Sequence, residues 1–482
     1  MTVVLTGHDL TLAEVLRVAR DAERVEIDPA ALPTMRDARS VVERSLARGD
    51  EVYGLTTGVG PAKSFRIDPL KMREFNSLMV YGSAIGQGPD APEDIVRGTL
   101  LRLVNGFVSG TPGVRHELAQ RLVDSLNAQE RPRVHMLGSV GQADLIPLGD
   151  LAAGVLGDFE LAPKEGLSLV SNNAFSTSIA ALAVADYIRL VDAADAAAAF
   201  DLEAFAGNLT ILHPAVGRAR PFPGLQDTLE RLRAILDGSY LWDAGAARNL
   251  QDPVTFRSIP QVHGAVRDTL AFAYGQLAIE LNASQENPLV VLDEDRLIAV
   301  GNFDVLPLAS CLDYLRIALA PLLTSAYERL EKLLQEPYSG LPQNLAARAG
   351  GVDLALSELG LIAQALVAEA RLLAGPVSFE VTGSSRDGSL TDRITMAPLA
   401  ARRVAEMVAL GERIVATELV VAAQAIDLRR IPRLGRGTQL LYELVRQQVA
   451  GTGEGEAPPR DIEGVRELVR SGTLSSLADP AP

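Results

Sequence analysis

The sequence has few of the residues that build disulfide frameworks, metal sites and aromatic cores. It contains one cysteine (Cys311), one tryptophan and five histidines in 482 residues, and aromatic residues make up 5% of it. A single cysteine excludes an internal disulfide framework and is typical of a reducing compartment, so we expect a cytoplasmic protein. No Cys/His spacing typical of a metal site occurs, so we expect no bound metal.

Basic residues and long uncharged apolar runs are also scarce. Lys and Arg number 45 against 61 Asp and Glu, which gives a formal net charge of −16. Such an acidic chain repels nucleic acids and anionic membrane surfaces, so a small molecule or another protein is the expected partner. We find no run of about 18 uncharged apolar residues and no basic region ahead of an apolar start, so we expect neither a spanning helix nor a signal peptide.

The chain is rich instead in Ala, Leu and periodic apolar residues. Hydrophobic residues make up 48% of it, which is ample for a large core, and the scarcity of aromatics favours helix. Long apolar-periodic stretches, typical of a helix bundle, lie at 175–207, 224–238, 261–283, 304–335, 352–375 and 395–429. We predict a mainly α protein with an N-terminal domain at 1–174 and a long-helix bundle with C-terminal helices at 175–482.

Two Gly-rich loops in the predicted N-terminal domain are the first candidates for a functional site. Residues 51–66 contain YGLTTGVG at 53–60 and are too rich in Gly and Thr for a helix. The second loop, Gly138 to Leu148, leads into an apolar helical pattern. Backbone N–H groups at such a turn are free to face a ligand, and the helix dipole favours negative charge there.

These loops and several later segments resemble the aromatic amino acid ammonia-lyase family, which includes histidine, phenylalanine and tyrosine ammonia-lyases and related aminomutases. YGLTTGVG is similar to the family's Tyr-Gly-x-x-Thr-Gly-x-Gly loop, and QDPVTFRSIPQV at 251–262 is similar to Gln-Asp-Pro-Tyr-Ser-x-Arg-x-x-Pro-Gln-Val. Further matches are KEGLSL at 164–169, ELNASQENPL at 280–289, GNFD at 301–304 and DRITM at 392–396. The resemblance implies an ammonia-lyase-like fold, a homotetramer, and an active site assembled from loops of several subunits.

The resemblance also implies roles for individual residues. Tyr53 matches the family's catalytic base, and Arg257 is suited to bind a substrate carboxylate bidentately. Asp304, where the family has His, is a candidate base or ammonium partner. Simpler alternatives stay open, because Tyr53 also suits a tether within its own loop, Arg257 a salt bridge and Asp304 a helix cap.

Other positions in these segments are candidate substrate-binding residues. They are Gly60, Ser83, Gln142, Asp144, Asn172, Asn173, Gln251, Asn302, Phe303 and Arg386. For Gln142 and Asn173, hydrogen bonding to a carbonyl or carboxylate and helix capping are equal alternatives. Asp144 is expected to cap the helix that follows it, and Arg386 either closes over a ligand or lies in a solvated loop.

The centre of the second loop departs from the family. The family has Ala-Ser-Gly there and converts this triad into an electrophilic methylidene-imidazolone (MIO) group. Here Gln142-Ala143 stands in its place and is one residue shorter. The conversion needs a Gly nitrogen and a β-hydroxyl, and neither is present, so we expect no MIO group and no other cofactor. The family's second essential Tyr is Val254, and its Gln-Glu pair is Leu390-Thr391.

Three functions are compatible with this pattern. The favoured one is a lyase or isomerase in which Tyr53 abstracts a proton from a carboxylate substrate held by Arg257, and loop N–H groups stabilise the enolate. Elimination of a leaving group other than ammonium, addition or cyclisation would fit. The second is hydrolysis or group transfer on the same scaffold, with Ser83, Ser139 and His135 as candidates. The third is a non-catalytic homologue that binds a ligand or partner.

Overall fold

The computed structural model describes residues 2–348, 354–379 and 391–479, and the chain is mainly α, as predicted. Its first part alternates short strands with helices. These are β1 (Thr2–Leu5), α1 (Leu12–Ala19), β2 (Arg24–Ile27), α2 (Leu32–Arg48), α3 (Met72–Tyr81), β3 (Gln87–Asp90), α4 (Glu93–Val108), α5 (His116–Asn127), β4 (His135–Leu137), α6 (Leu145–Val155) and α7 (Glu165–Val170).

The rest of the chain is dominated by long helices. Its elements are α8 (Ala174–Phe205), α9 (Pro214–Ala219), α10 (Pro223–Ile235), α11 (Val254–Arg257), α12 (Ile259–Glu280), β5 (Leu289–Val291), β6 (Arg296–Ile298), α13 (Leu306–Leu334), α14 (Glu336–Ser339), α15 (Ser357–Leu373), α16 (Ala397–Arg429), α17 (Arg436–Gln448) and α18 (Glu463–Arg470). The six predicted long stretches correspond to α8, α10, α12, α13, α15 and α16. Helix α17, which is amphipathic and buries Leu441 and Val445, was not predicted from the sequence.

Helix α8 shows how an Ala-rich sequence forms a buried helix. Its middle carries a run of alanines, including Ala193, Ala194 and 196–199, and each of these is fully buried. A helix that is apolar around most of its circumference must be covered on all sides. Small side chains let neighbouring backbones approach closely, so the Ala-rich run suits a central position.

The few strands form three separate pairs. β1 and β2 are parallel, with Val3 opposite Val25. β3 and β4 are antiparallel, and so are β5 and β6, where Leu289 lies opposite Ile298. Each pair holds a turn or loop in place rather than forming a layer of the core, since a two-stranded sheet has too little area to build one.

The described chain divides into two compact units. One unit comprises residues 1–185, 273–313 and 376–402, and the other comprises 186–272, 314–375 and 403–482. Four of the five boundaries of this division fall within α8, α12, α13 and α16, and the fifth follows α15, so the single domain boundary expected after residue 174 stays a prediction. Each unit is built from three separate segments of the chain, so a single boundary in the sequence cannot describe them. Both Gly-rich loops belong to the first unit.

Two stretches pass a length and composition test for membrane spanning, although none was expected from the sequence. They are Glu165–Phe205 and Leu306–Leu334, and 83% and 56% of their most apolar windows are buried inside the fold. The expectation from the sequence concerned a run without any charged residue, whereas this test accepts windows with up to two charged residues. Buried core helices pass the same test, so the finding is weak evidence for membrane contact.

Candidate active site

The Tyr53 loop is anchored by apolar packing and by its own backbone. Val52 and Leu55 are buried in a cluster with residues of α2 and with Val290 of β5. Tyr53 is half-buried, and its hydroxyl oxygen accepts the N–H of Gly60 at 3.0 Å. The tether considered for Tyr53 is therefore present, and Gly60 is its donor. This contact uses one lone pair of the hydroxyl and leaves its proton unengaged by Gly60.

Asp144 joins the Gly138–Leu148 loop to the start of α8. Its side chain is fully buried and accepts three hydrogen bonds, from Ser139 Oγ, Ser176 N and Ser176 Oγ, each at 2.7 Å. Burial raises the pKa of the Asp144 carboxyl above its ordinary value, and the three donors oppose that rise. The expected cap on its own helix is wrong, because Asp144 makes no side-chain cap to α6 and instead caps α8.

The N-terminus of α8 is covered by side chains from three segments. Asn173 N donates to Gln285 Oε1 at 3.0 Å, and Ala174 N donates to Asn172 Oδ1 at 3.0 Å. Ser176 N is held by Asp144. In the loop, Gly141 N donates to Ser139 Oγ at 3.0 Å, and Asp144 N donates to the Asn172 carbonyl at 2.7 Å. The loop N–H groups were expected to be free to stabilise an enolate, but the two named here, Gly141 N and Asp144 N, already have partners.

Two amide oxygens in this region lack a partner. Gln142 Oε1 and Asn173 Oδ1 are buried, and neither has a hydrogen-bond partner among the residues that the structure describes. Asn173 is fully buried, and its Nδ2 donates to the Gly141 carbonyl at 3.3 Å. Unpaired buried polar atoms are rare, so both oxygens are candidates for ligand contact.

The segment 391–396 packs on the same loop. Thr395 Oγ1 donates to the Gly141 carbonyl at 2.7 Å, and Met396 N donates to the Val140 carbonyl at 2.9 Å. A side chain at Gly141, where φ is 77°, would collide with Thr395 Oγ1. Ala143 and Met396 both have positive φ, at 58° and 54°. Such strain in non-glycine residues is often found at functional sites.

Asp304 is brought to this loop, but its carboxylate is engaged. Its backbone forms an isolated antiparallel β-bridge with Gln142. Its side-chain oxygen Oδ2 accepts a hydrogen bond from Arg393 Nε at 2.9 Å. Oδ1 accepts the N–H of Leu306 at 3.1 Å, so the helix cap considered for Asp304 is present. Next to it, Phe303 is half-buried and Asn302 is exposed.

Ser83 and His135 lie on the flank of α6 without forming a nucleophile–base pair. Ser83 Oγ donates to the Met79 carbonyl at 2.9 Å, and His135 Nδ1 lies 2.8 Å from Asp150 Oδ2. Ser139 Oγ is bound to Asp144. Within the described part of the chain, no hydrogen bond links His135 to either serine. The arrangement therefore gives no support to serine hydrolysis.

The remaining candidates belong to the second unit or lie outside the described residues. Arg257, at the end of α11, is exposed, and its Nε donates to the Asp252 carbonyl at 2.7 Å. Among the described residues no carboxylate pairs with it, so the salt bridge considered for Arg257 is not seen. Gln251 is exposed. Arg386 lies outside the described residues.

A buried ion pair behind the site was not predicted from the sequence. Lys164 and Glu286 are both buried, and Lys164 Nζ lies 2.6 Å from Glu286 Oε1. Nζ also donates to the Pro112 carbonyl and to Ser168 Oγ. Burial lowers the pKa of Lys164, and Glu286 opposes that effect. Lys164 and Glu286 lie in two of the motifs that resemble the family, KEGLSL and ELNASQENPL, and this was the only indication in the sequence that they belong near the site.

Within the described ranges, no group of three or more His, Cys, Asp and Glu residues is placed to hold a metal.

The comparisons with known proteins agree with this architecture. The family model described as aromatic amino acid lyase matches residues 10–447. The chain belongs to the aromatic amino acid lyase family. Among its relatives in this family, histidine ammonia-lyase of Gloeobacter violaceus is 35% identical over 506 residues, covering 99% of this chain and 98% of the relative. Histidine ammonia-lyase of Alkaliphilus metalliredigens is 33% identical over 491 residues, covering 97% and 96%.

Solved structures extend the family resemblance to the fold. Ergothionase from Treponema denticola, an ergothioneine-degrading enzyme solved with desmethyl-ergothioneine sulfonic acid, has a TM-score of 0.92 and 28% identity, over 98% of this chain and 99% of that one. Tyrosine aminomutase from Streptomyces globisporus has a TM-score of 0.91 and 29% identity, over 99% and 98%. The ammonia-lyase-like fold is thereby confirmed.

Proposed function

We propose that this family member is a lyase- or isomerase-type enzyme that acts on an amino acid or a related small carboxylate without an MIO group. Tyr53 abstracts a proton next to the carboxylate, and Arg257 holds the carboxylate. The product arises by elimination of a leaving group other than ammonium, by addition or by cyclisation. The observation that carries the proposal is the Gln142-Ala143 centre of a loop whose flanks match the family.

The residues of this loop do not fit the MIO group. The Ser hydroxyl and Gly nitrogen from which the group forms are absent from Gln142-Ala143. The nearest hydroxyl in the sequence, on Ser139, is bound to the Asp144 carboxylate at 2.7 Å and is followed by Val140, not by glycine. Gln142 takes the place of the triad in the sequence, and its side-chain oxygen Oε1 is buried. No step of the proposed reaction passes through this group.

The roles of Tyr53 and Arg257 rest on their chemistry and exposure. As a base, Tyr53 acts in its ionised form: the Gly60 N–H engages one lone pair of the phenolate oxygen, and another lone pair remains to accept the substrate proton. Among the described residues, the exposed Arg257 makes one hydrogen bond, from Nε to the Asp252 carbonyl, and both of its Nη groups are left for a bidentate carboxylate.

We infer a homotetramer, in which residues of different subunits share one site. The second unit exposes large apolar side chains on α12, α13 and α15, which is unusual for a surface facing only water. They are Phe272, Tyr314, Ile317, Leu361, Ile362 and Leu372. Light scattering coupled to size exclusion tests this inference, and a monomer at micromolar concentration would contradict it. A cytoplasmic location also stays a prediction, which cell fractionation would check.

The first experiment asks whether an MIO group forms. Its formation removes two waters from the intact mass and adds ultraviolet absorbance beyond that of the protein. We expect the mass calculated for the unmodified 482-residue chain and no such absorbance. A mass lower by two waters would overturn the proposal and restore standard ammonia-lyase chemistry.

The second experiment tests Tyr53. Purified protein is incubated with L-histidine, with ergothioneine, and with carboxylates that carry a hydroxyl or other β-substituent, and products are followed by mass spectrometry. We expect Tyr53→Phe to lower turnover about 10²- to 10⁴-fold, the usual contribution of a general base. The loss of one hydrogen bond to Gly60 should cost only about 1 kcal/mol of stability. Unchanged turnover in Tyr53→Phe would exclude the Tyr-base mechanism, and no turnover of any substrate would favour a binding protein.

A further inference from the structure

A group of buried charged side chains in the second unit has no role in the proposed reaction. Asp201 of α8, Arg329 of α13 and Glu418 of α16 are fully buried, and we call them the buried trio. Arg329 Nε donates to Asp201 Oδ2 at 2.9 Å and to Glu418 Oε1 at 3.1 Å, and Arg329 Nη2 donates to Glu418 Oε1 at 2.7 Å. Two carboxyl groups therefore converge on one guanidinium.

The buried trio lacks one positive charge if both of its carboxyl groups are ionised. Arg329 neutralises one carboxylate, and the other then adds a negative charge to the interior, where an uncompensated ion is costly. Each member also has a buried atom without a partner among the described residues, namely Asp201 Oδ1, Glu418 Oε2 and Arg329 Nη1. Such atoms are rare, so the fully ionised trio is incomplete in its charge and in its hydrogen bonds.

His263 of α12 does not supply the missing charge. It lies within electrostatic reach of Arg329 and Glu418, and its Nδ1 is 2.7 Å from Asp195 Oδ1. Burial lowers the pKa of the imidazole and favours the neutral form, in which Nδ1–H donates to the Asp195 carboxylate. His263 Nε2 is buried and has no partner among the described residues, so a charged imidazole would place an unpaired N–H in the interior.

The other charged groups on the helices around His263 balance one another. Asp195 and Asp192 of α8 pair with Arg267 of α12 and Arg231 of α10. Asp227 of α10, which is exposed, lies 3.4 Å from Arg267. The acids of this network therefore use its two arginines and leave neither of them for the buried trio.

We propose that the buried trio holds one proton between its two carboxyl groups, and that loss of this proton at alkaline pH weakens the packing of α8, α13 and α16 in the second unit. Glu418 accepts two N–H groups of Arg329 and is the carboxylate, whereas Asp201 accepts one and is the acid. The acid donates its O–H to Glu418, whose carboxyl group lies within hydrogen-bond reach. Burial and the neighbouring Glu418 carboxylate raise the pKa of Asp201 well above its ordinary value.

The proton makes the stability of the protein depend on pH in one direction. Because the pKa of Asp201 is higher in the folded state than in the unfolded state, unfolding releases the proton. The stabilisation is complete below the unfolded pKa of about 4 and is lost as pH rises through the folded pKa. Above that pH, two buried carboxylates share one guanidinium.

Infrared spectroscopy of the folded protein tests where the proton lies. A protonated carboxyl group has a C=O stretch above the amide I band, and other buried acids cancel in a difference spectrum between wild type and a single variant. We expect such a band near pH 6 in wild type minus Asp201→Asn, and also in wild type minus Glu418→Gln, because either variant removes the need for the proton. The band should fade in wild type as pH rises. If Asp201→Asn fails to fold, Glu418→Gln carries this test.

Thermal unfolding between pH 5 and pH 8 tests the linkage. Asp201→Asn keeps an oxygen for Arg329 Nε and gains an NH₂ that donates to Glu418, so the wild-type Tm should fall relative to this variant by about 1 °C per pH unit until the folded pKa is reached. Asp195→Asn is the matched control on the same helix. The pKa of Asp195 is lowered to about 2, so its Tm difference from wild type should stay flat in this range. Absence of the infrared band from both difference spectra, or a flat Tm difference between wild type and Asp201→Asn, would overturn the proposal.

Discussion

Replacement of Asp144 tests whether this one carboxylate fixes the Gly138–Leu148 loop to α8. Asp144→Ala removes all three of its hydrogen bonds and leaves Ser139 Oγ, Ser176 N and Ser176 Oγ to find other partners. Asp144→Asn keeps the shape. Its oxygen still accepts the Ser176 N–H, and its NH₂ donates to the two serine hydroxyls, which act as acceptors as readily as donors.

The magnitudes follow from these contacts. An unsatisfied buried donor costs about 1 to 3 kcal/mol, and removing the buried carboxylate relieves part of that cost, so Asp144→Ala should lose about 3 kcal/mol of folding free energy. Asp144→Asn should lose about 1 kcal/mol. The unfolding entropy of a chain of 482 residues is about 1 kcal/mol/K, so these losses correspond to Tm shifts of about 3 °C and 1 °C.

Thermal unfolding followed by circular dichroism at several pH values is the assay. The pKa of Asp144 is raised in the folded protein, so the folded state holds the proton more tightly than the unfolded state does. Wild-type stability therefore declines as pH rises from the unfolded carboxyl pKa through the folded pKa. Asp144→Asn has no such group, so the advantage of wild type over this variant should be larger near pH 4 than near pH 7.

Two results would refute this account. Equal Tm values for Asp144→Ala and Asp144→Asn would show that the three hydrogen bonds do not hold the loop. A difference between wild type and Asp144→Asn that grows with pH would show that the three donors outweigh burial and lower the pKa of Asp144. That pH dependence has the sign opposite to the one expected for a carboxyl whose pKa is raised by folding.

Three further predictions concern buried contacts. Lys164→Met should cost about 3 to 5 kcal/mol in thermal unfolding, because it leaves the buried Glu286 carboxylate without its cation; a cost below about 1 kcal/mol would contradict this. Burial opposes ionisation of Asp195, but Arg267 and a buried histidine overcome it and lower its pKa to about 2. Asp195 should therefore contribute about 2 kcal/mol above pH 4, lost as pH falls to about 2, and Asp195→Asn should flatten that part of the acid-unfolding curve. Thr395→Val should lose about 1 kcal/mol and speed amide hydrogen exchange at the loop, whose Gly141 carbonyl it no longer holds; unchanged exchange would count against that link.

The sequence was sufficient for the long helices and for the two Gly-rich loops. Apolar periodicity over 20 or more residues predicts a buried helix whatever packs against it, which is why α8 and α16 were predicted nearly to their ends. The clusters of Gly and Thr likewise predicted the Tyr53 loop. Helix α17 was missed because its apolar stripe is short and is followed by a polar, Gly-rich linker.

The roles of single polar residues were harder to predict, because they depend on contacts distant in sequence. The local sequence predicts that Asp144 caps the helix that follows it, yet its carboxylate accepts the N–H of Ser176, which lies 32 residues later. Asn173 Oδ1 has no partner among the described residues, while Gln285, Asn172 and Asp144 accept N–H groups at the start of α8. No local pattern in the sequence records which donors are already occupied.

The anchoring of both ends of the loop centre bears on how its length can change during evolution. The Gly141 carbonyl is held by Asn173 and Thr395, and Asp144 is held at the other end of the two-residue span. Ala143 already adopts a left-handed conformation to close that span, with φ at 58°. An added residue would lengthen a span that is held at both ends, so a lineage with this loop reaches a three-residue centre by an insertion that these contacts have to accommodate. Point substitutions alone do not lead back.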